Sequence, residues 1–450
     1  MGRVRVLPVC YNWNGIVMKI GVISLGCAKN LVDTEHLLGL LRESGIETAS
    51  SYDGADAVII NTCGFIEDAK TEAIDTILEA ADHKQSGVKK LIVMGCLAQR
   101  YKPQLEEEFP EVDRFISIDE YPDLGRILSD VLGVPVSNTY GKTTRVLSGK
   151  PWMAYLKIAD GCDNRCSYCA IPLIRGPFVS RPMEAIIGEA RQFVKQGVKE
   201  LNLIAQDSSR YGIDRYGELR LSALLKELDQ IEGVHWIRVL YLYPDEIPDD
   251  LIETIQSSRH VLPYFDIPIQ HGSDAMLSAM HRRGNRALIK ERCRKLRKDI
   301  PEAVLRTTLI AGFPGETEDD HADNLSLLEE IKWDHLGVFA YSREEDTPAY
   351  DLADDVPQEV KIARRDELME AQSRISHKRQ EALIGQTMEV LIERIDPLSE
   401  MYVGRSYMHA PDNVDGCVRF RSQQAHEPGD FAMVRITRVS GLNLIGREGE

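Results

Sequence analysis

The sequence predicts an α/β protein with three parts: an N-terminal Rossmann-like α/β domain, a central partial (βα)6 barrel, and a small antiparallel, OB-like β-barrel at the C-terminal end. Three apolar runs, each leading into a helix-like stretch, lie between Lys19 and residue 135, and six more strand-like runs follow Trp152. Such alternation is typical of buried parallel strands covered by helices. From about Gly385 the runs become short and alternating, separated by Gly, Pro, Asn and Asp, which indicates a small barrel.

The length of 450 residues suggests two to four domains, at roughly 150 residues each. We place the domains at residues 18–135, 148–378 and 382–450, with a polar linker over 134–150. Residues 1–17 contain no strand pattern and no signal-peptide core. We therefore predict a disordered extension ahead of a natural start at Met18.

The amino-acid composition limits the kinds of macromolecule or surface that the protein is expected to bind. The formal net charge is −17, which disfavours bulk nucleic acid because phosphate backbones are bound through Lys and Arg. It suits a basic protein partner better. No apolar run is long enough to span a membrane. Nine cysteines in a chain too large for a disulfide-stapled scaffold indicate metal or cluster ligation in a reducing compartment, so we expect a cytoplasmic protein.

Three cysteines end the three N-terminal strand-like runs. They are Cys27, Cys63 and Cys96, separated by about one strand–helix unit each. The carboxyl ends of strands in an open α/β sheet share one edge, where ligands bind, so the three side chains can converge. The alternative is three small buried hydrophobic residues. Cys10, Cys293 and Cys417 show no such pattern and are interpreted as structural.

A second cysteine group follows the first strand of the central series. Cys162, Cys166 and Cys169 have three and two residues between them. Thiolates are the usual ligands of a 4Fe–4S cluster, and three of them leave one iron open to chelate S-adenosylmethionine. The alternative is a structural zinc site, which would need a distant fourth ligand such as His271.

Residues 161–182, GCDNRCSYCAIPLIRGPFVSRP, resemble the radical S-adenosylmethionine loop of the methylthiotransferases. The resemblance covers nearly the whole chain from Met18, and the C-terminal barrel resembles a TRAM domain. Other segments that carry it are AQDSSRYG (205–212), YLYP (241–244), DIPIQHGSD (266–274) and RTTLIAGFPGET (306–317). The branch that the chain resembles most is the RimO type, which modifies a ribosomal protein.

This resemblance implies a two-cluster enzyme. Cys27, Cys63 and Cys96 would hold a second 4Fe–4S cluster, whose open iron binds the sulfur species to be methylated and delivered. Two S-adenosylmethionine molecules are used, and a methylthio group is added to the β-carbon of an aspartate in small-subunit ribosomal protein twelve. A reduced flavodoxin or similar donor would supply electrons.

Four residues at strand ends are predicted to contact the cofactor. Gly312 and Glu316 lie in a turn that, by the resemblance, sits beside the adenosyl group. Gln206 and Gln270 end two other strands. Each could instead support a plain turn or cap a helix.

Asp207 and His271, which follow Gln206 and Gln270 in the chain, could likewise contact the cofactor or support a turn or helix cap. Arg175 and Arg181 flank the cysteine loop and could bind a carboxylate or form surface ion pairs. No residue is assigned a catalytic role.

The C-terminal barrel bears on whether the target is protein or RNA. From residue 383 onward it has seven Lys plus Arg against ten Asp plus Glu, whereas an RNA-binding barrel should have a basic face. Residues 404–416 also resemble the ribosomal-protein branch, although His409 departs from the pattern. A transfer-RNA adenosine methylthiotransferase is the alternative substrate class. A non-enzymatic iron–sulfur electron carrier and a zinc scaffold are alternatives of other classes.

Overall fold

The computed structural model describes residues 18–449 except 50, 51, 53, 143, 412 and 413. The predicted extension at 1–17, with Cys10, lies outside the described residues. The first domain is a parallel sheet of order β2-β1-β3-β4-β5. Its strands are β1 (Lys19–Ser24), β2 (Glu47–Ala49), β3 (Ala57–Thr62), β4 (Lys90–Gly95) and β5 (Arg114–Ile116). Its helices are α1 (Ala28–Glu43), α2 (Glu67–Asp82), α3 (Cys96–Glu108) and α4 (Leu124–Leu132).

Both faces of this sheet are covered. β3 is buried at every position and β4 at all but its first, as their continuous apolar runs predict. Helices α1 and α4 pack on one face, and α2 and α3 on the other. The sequence indicated three strands here. β2 and β5 are only three residues long, which is too short to show a periodicity.

The central domain is a six-stranded parallel sheet, which confirms the partial barrel. Its strands follow one another in chain order: β6 (Met153–Lys157), β9 (Glu200–Ile204), β10 (Trp236–Val239), β11 (Val261–Asp266), β12 (Val304–Ala311) and β13 (His335–Ala340). Two short strands, β7 (Ala159–Asp160) and β8 (Val179–Ser180), pair beside the cysteine loop.

Seven helices contribute side chains to the apolar layer on the central sheet. They are α6 (Met183–Lys195), α8 (Leu221–Asp229), α9 (Asp249–Ser257), α10 (Asp274–Ala279), α11 (Arg286–Asp299), α12 (Glu318–Ile331) and α13 (Gln358–Glu381). Two short helices, α5 (Ile171–Arg175) and α7 (Ile213–Tyr216), contribute none, and α5 packs against Cys96 instead. Cys293 is buried in this apolar layer, as its interpretation as structural requires. None of the described helices is both long and apolar enough to cross a lipid bilayer.

The tail forms a closed five-stranded barrel of order β14-β15-β16-β18-β17. Its strands are β14 (Thr387–Asp396), β15 (Met401–Arg405), β16 (Val418–Arg421), β17 (Phe431–Ser440) and β18 (Asn443–Glu448). Four of the five pairings are antiparallel, as predicted. The β16–β18 pair is parallel, which the sequence pattern did not predict.

The C-terminal barrel closes the amino-terminal end of the central barrel. Met153 and Trp236, each the first residue of a strand, pack with Met408 and Val390 of the C-terminal barrel. Arg405 is fully buried there, with Nη2 lying 2.5 Å from Oε2 of Glu200, also fully buried. Further buried bonds join the two barrels: Arg238 Nη1 donates to the Tyr407 carbonyl (2.9 Å), and Tyr264 Oη donates to Asp415 (2.6 Å).

This interface contains His409, the residue that departs from the pattern of the ribosomal-protein branch. His409 is only 1% exposed and hydrogen-bonds the Ser406 hydroxyl through Nδ1 at 3.0 Å. Its side chain is therefore unavailable to a macromolecular partner.

The buried imidazole of His409 makes this interface sensitive to acid. Burial, reinforced by the neighbouring imidazole of His335, lowers the pKa of His409 to about 3 from 6.5. Below pH 6.5 the imidazole of His409 takes up a proton in the unfolded chain, whereas in the folded chain it stays neutral until the pH approaches 3. Stability therefore falls as the pH is lowered from 6.5 towards 3, by about 1.4 kcal/mol per pH unit.

We expect H409N to lose less stability than the unmodified protein between pH 7.5 and 5.5, measured by urea unfolding. Asn keeps an acceptor for Ser406 but does not titrate. His377, whose side chain is 52% exposed, provides the control variant H377N. Equal acid sensitivity in H409N and the unmodified protein would contradict the assignment.

Candidate functional site

The central cysteine loop lies at the carboxyl ends of the central strands, opposite the C-terminal barrel. Its backbone is held by two bonds: the Cys162 N–H donates to the Gly176 carbonyl (3.1 Å), and the Ser167 N–H to the Met280 carbonyl (3.0 Å). Burial raises the pKa of the Cys162 thiol to about 11 and, with the charge of Cys166, that of Cys169 to about 12. Cluster assembly here must therefore release protons.

Arg282 stands beside Cys166, and sequence reasoning missed it. Its Nη1 lies 3.6 Å from Cys166 Sγ, and the Tyr243 hydroxyl lies at the same distance. The guanidinium also stacks on the Tyr243 ring, 4.0 Å from its centroid. A buried cation that donates to sulfur stabilises thiolate over thiol. Only the neighbouring Tyr in YLYP was part of a recognised motif.

Two buried acceptors beside this loop have no partner in the described structure. Gln206 Nε2 donates to Asp160 (3.3 Å), which leaves its Oε1 unpaired. Asn164 Nδ2 donates to Asp207 (2.8 Å), which leaves its Oδ1 unpaired. An unpaired buried acceptor is costly unless a ligand satisfies it. The amino group of S-adenosylmethionine has N–H donors that could satisfy these oxygens, so the residues fit that cofactor.

Three non-glycine residues at this edge have left-handed backbone: Arg165 (φ 51°), Tyr241 (φ 63°) and Gln270 (φ 73°). They belong to three different strand-end loops. Gln270 is held by its backbone to β12, since its N–H donates to the Thr308 carbonyl (2.9 Å) and its carbonyl accepts from Ile310 (2.8 Å). Backbone strain of this kind is concentrated at binding sites.

Gly312 and Glu316 form a turn that is held by the protein itself. One Glu316 oxygen accepts the N–H groups of Gly312 (2.6 Å) and Phe313 (3.2 Å), and the other lies 3.2 Å from Arg364. A Cβ on Gly312 would lie 2.2 Å from the Lys361 side chain. A glycine at this position therefore allows α13 to pack closely against the turn. Cofactor contact by these two residues stays a prediction.

His271, the distant ligand considered for zinc, accepts the Ser273 N–H at Nδ1 (3.0 Å) and lies 2.9 Å from Asn324 at Nε2. Both ring nitrogens are therefore in use. Among the described residues, no three His, Cys, Asp or Glu side chains are grouped to share one metal ion. A four-iron cluster is wider than one ion and is held by thiolates set further apart.

The N-terminal cysteines lie at the carboxyl ends of β1, β3 and β4, which are neighbours in the sheet. Burial and the charges of Cys96 and Cys27 raise the pKa of Cys63 to about 12, so the three thiols share one environment. Asn30, which is fully buried, organises the group. Its Nδ2 donates to the carbonyls of Leu25 (3.1 Å) and Thr62 (2.9 Å), and its Oδ1 lies 3.3 Å from Cys96 Sγ.

Arg175 and Arg181, the two arginines that flank the central cysteine loop, have different partners. Arg175 reaches the N-terminal group, with Nη2 3.6 Å from Cys96 Sγ and Nη1 2.7 Å from Asp33. Arg181 instead pairs with Glu189 (2.7 Å) and donates to the Lys157 carbonyl (2.7 Å). Only Arg175 therefore connects the two cysteine groups.

A matched pair of glycines tests the loop geometry. Gly161 (φ +73°) and Gly176 (φ +72°) both need positive φ, but a Cβ would lie 2.0 Å from the Pro177 carbonyl oxygen at Gly161 and touch nothing within 4 Å at Gly176. We expect G161A to lose the central cluster and about half of the iron. G176A should keep it, at a cost of about 1–3 kcal/mol. Iron analysis and urea unfolding measure both, and equal iron contents would contradict the steric argument.

Three family matches cover most of the chain. Residues 19–117 match the Uncharacterized protein family UPF0004, residues 156–328 the Radical SAM superfamily, and residues 384–448 the TRAM domain.

Full-length relatives are also similar. The ribosomal protein uS12 methylthiotransferase RimO of Alkaliphilus oremlandii is 46% identical over 432 residues, covering 95% of this chain and 98% of that protein. The RimO proteins of Pelotomaculum thermopropionicum and Clostridioides difficile are 47% and 44% identical, covering 95% and 96% of this chain and 99% and 98% of theirs.

Among solved structures, the radical S-adenosylmethionine methyltransferase TsrM of Kitasatospora setae, with cobalamin and a [4Fe-4S] cluster bound, is 13% identical. It superposes with a TM-score of 0.54 over 74% of this chain and 77% of that chain. At this identity the likeness concerns the fold.

Proposed function

Because this chain belongs to the RimO family of ribosomal protein uS12 methylthiotransferases, we propose that it adds a methylthio group to the β-carbon of an aspartate in uS12. The observation that supports this most directly is that the loop of the central cysteine triad meets the N-terminal triad: Ala170, the residue after Cys169, packs against Cys96, and Arg175 Nη2 lies 3.6 Å from Cys96 Sγ. A single radical-generating triad would be compatible with many other reactions.

The chemistry comes from cofactors that these residues would hold. Cys162, Cys166 and Cys169 would hold one 4Fe–4S cluster. Cys27, Cys63 and Cys96 would hold the second. When bound, the clusters and two molecules of S-adenosylmethionine supply a methylated sulfur and a radical that removes hydrogen from the target carbon.

The protein's own groups bind, orient and shield. The unpaired oxygens of Gln206 and Asn164 would accept hydrogen bonds from the cofactor's amino group. Arg282 and Tyr243 donate towards Cys166 sulfur. The Arg405–Glu200 interface closes the opposite end of the central barrel and excludes water from it.

The substrate is proposed to be a basic ribosomal protein that approaches the open, carboxyl-end edge. The segment after β13 supports this, because it carries exposed carboxylates there. They are Glu345, Asp346, Asp351, Asp354 and Asp355. Their charge complements a basic protein and repels transfer RNA. A reduced flavodoxin-like donor and a cytoplasmic location complete the proposal.

Anaerobic reconstitution tests the proposal. We expect about eight irons per chain, from two four-iron clusters. With reductant and S-adenosylmethionine, uS12 should gain the mass of one methylthio group, while transfer RNA from the same cells should not. Modified transfer RNA with unmodified uS12 would favour the alternative substrate. Absence of 5′-deoxyadenosine from the fully loaded protein would favour an electron carrier.

A further inference from the structure

One short helix connects the two cysteine groups. Cys169 is followed by Ala170 and then by α5, which is five residues or about 7.5 Å long. Ala170 and Ile174 pack directly against Cys96. The separation of the two groups is therefore set by α5 and by whatever anchors it.

The anchor is the side chain of Arg175, the last residue of α5. Its Nη1 lies 2.7 Å from Asp33 and 3.2 Å from Asp160, and its side chain is 2% exposed. Lys157 completes the set, with Nζ 2.7 Å from each of the same two carboxylates. Two cations and two carboxylates thus balance in a ring that is buried except at Asp160, whose side chain is 31% exposed. The opposite charges outweigh the effect of burial and raise the pKa of Arg175 well above its usual value. This ring should hold the Arg175 side chain in one position, because moving it would leave charged groups without a partner.

Arg175 also acts on the N-terminal group through Asn30. Its Nη2 donates to Asn30 Oδ1 (2.6 Å) and lies 3.6 Å from Cys96 Sγ. The Asn30 amide in turn holds the carbonyls of Leu25 and Thr62, close to Cys27 and directly before Cys63. The Arg175 guanidinium therefore contacts Cys96 directly and, through Asn30, the backbone next to Cys27 and Cys63. It does so from a helix that begins two residues after Cys169.

We propose that Arg175 is a positioning residue that fixes the radical-generating loop at a set distance from the N-terminal cysteine site and donates a hydrogen bond to Cys96 sulfur. This inference rests on the proposed function. The target carbon must meet the radical and then the sulfur, and a misplacement of about 1 Å can cost about 100-fold in rate. Hydrogen bonds to cluster sulfurs also tune the reduction potential.

The variant R175K tests this role, because Lys keeps the charge but cannot reach Asp33, Asn30 and Cys96 together. R181K is the matched control, since Arg181 pairs with Glu189 and touches neither cysteine group. We expect R175K to form 5′-deoxyadenosine within about threefold of the unmodified enzyme. The yield of methylthiolated product per 5′-deoxyadenosine should fall by at least about tenfold. R181K should change neither quantity.

A second readout needs no substrate. In redox titration of the reconstituted holoenzyme, the N-terminal cluster of R175K should have a more negative potential, because a donor to its thiolate is lost. The central cluster and R181K should be unaffected. An unchanged potential together with an unchanged product ratio in R175K would overturn the proposal.

If R175K holds fewer than about eight irons, D33N provides the test, since Asp33 contacts Arg175 and no cysteine. The same loss of coupling is expected, and full coupling in D33N would overturn the proposal. The potential is measured without uS12. Failure of the proposed substrate would therefore appear as absent product in the unmodified enzyme, with the R175K shift still present.

Discussion

Replacing Cys166 with alanine is expected to abolish 5′-deoxyadenosine formation and to reduce the iron content from about eight to about four per chain. Arg282 and the Tyr243 hydroxyl each lie 3.6 Å from Cys166 Sγ, so the substitution would remove a proposed ligand whose negative charge these two groups can stabilise. C63A should lose the other cluster. It should still cleave S-adenosylmethionine while transferring no methylthio group to uS12.

The control is C293A. Cys293 is equally buried, but it packs in the apolar layer outside the central sheet. Its replacement should cost about 1 kcal/mol and leave iron content and product unchanged. If C166A retained eight irons, or C63A still modified uS12, the assignment of one cluster to each triad would be wrong.

Replacing Arg405 with methionine is expected to destabilise the protein by about 3–5 kcal/mol. The change leaves the fully buried carboxylate of Glu200 with only the longer contact to Arg238, at 3.3 Å, and also removes the 2.8 Å pair with Glu393. Anaerobic urea unfolding should show an early transition as the C-terminal barrel separates from the central barrel.

The exposed pair of Arg374 with Glu370 provides the comparison. R374M should change stability by less than about 0.5 kcal/mol, because solvent screens exposed pairs. R405K should fall between the two, since it keeps the charge without the forked geometry. Equal unfolding midpoints for R405M and R374M would show that the buried pair does not hold the two barrels together.

Both cysteine triads could be found from sequence because each is a local signal. The central triad lies within one loop, and the N-terminal cysteines each follow an apolar run. Since parallel strands end at a common edge, strand prediction was enough to bring Cys27, Cys63 and Cys96 together. Arg282 and Asn30 could not be found in this way. Their roles depend on contacts between distant segments that no periodicity records.

The sequence by itself determined the three-part α/β architecture and the family, and it predicted the two cysteine ligand sets. Short-range patterns of apolar residues, turns and cysteines carry that information. Only the tertiary structure decided which face of each part meets the next. In the folded chain His409 lies inside an interface and not at a substrate surface. The Glu316 carboxylate accepts hydrogen bonds from the backbone of its own turn. Arg175 lies between the two cysteine groups. Buried charges need partners, and in these places the partners come from segments far apart in the chain, so only folding reveals them.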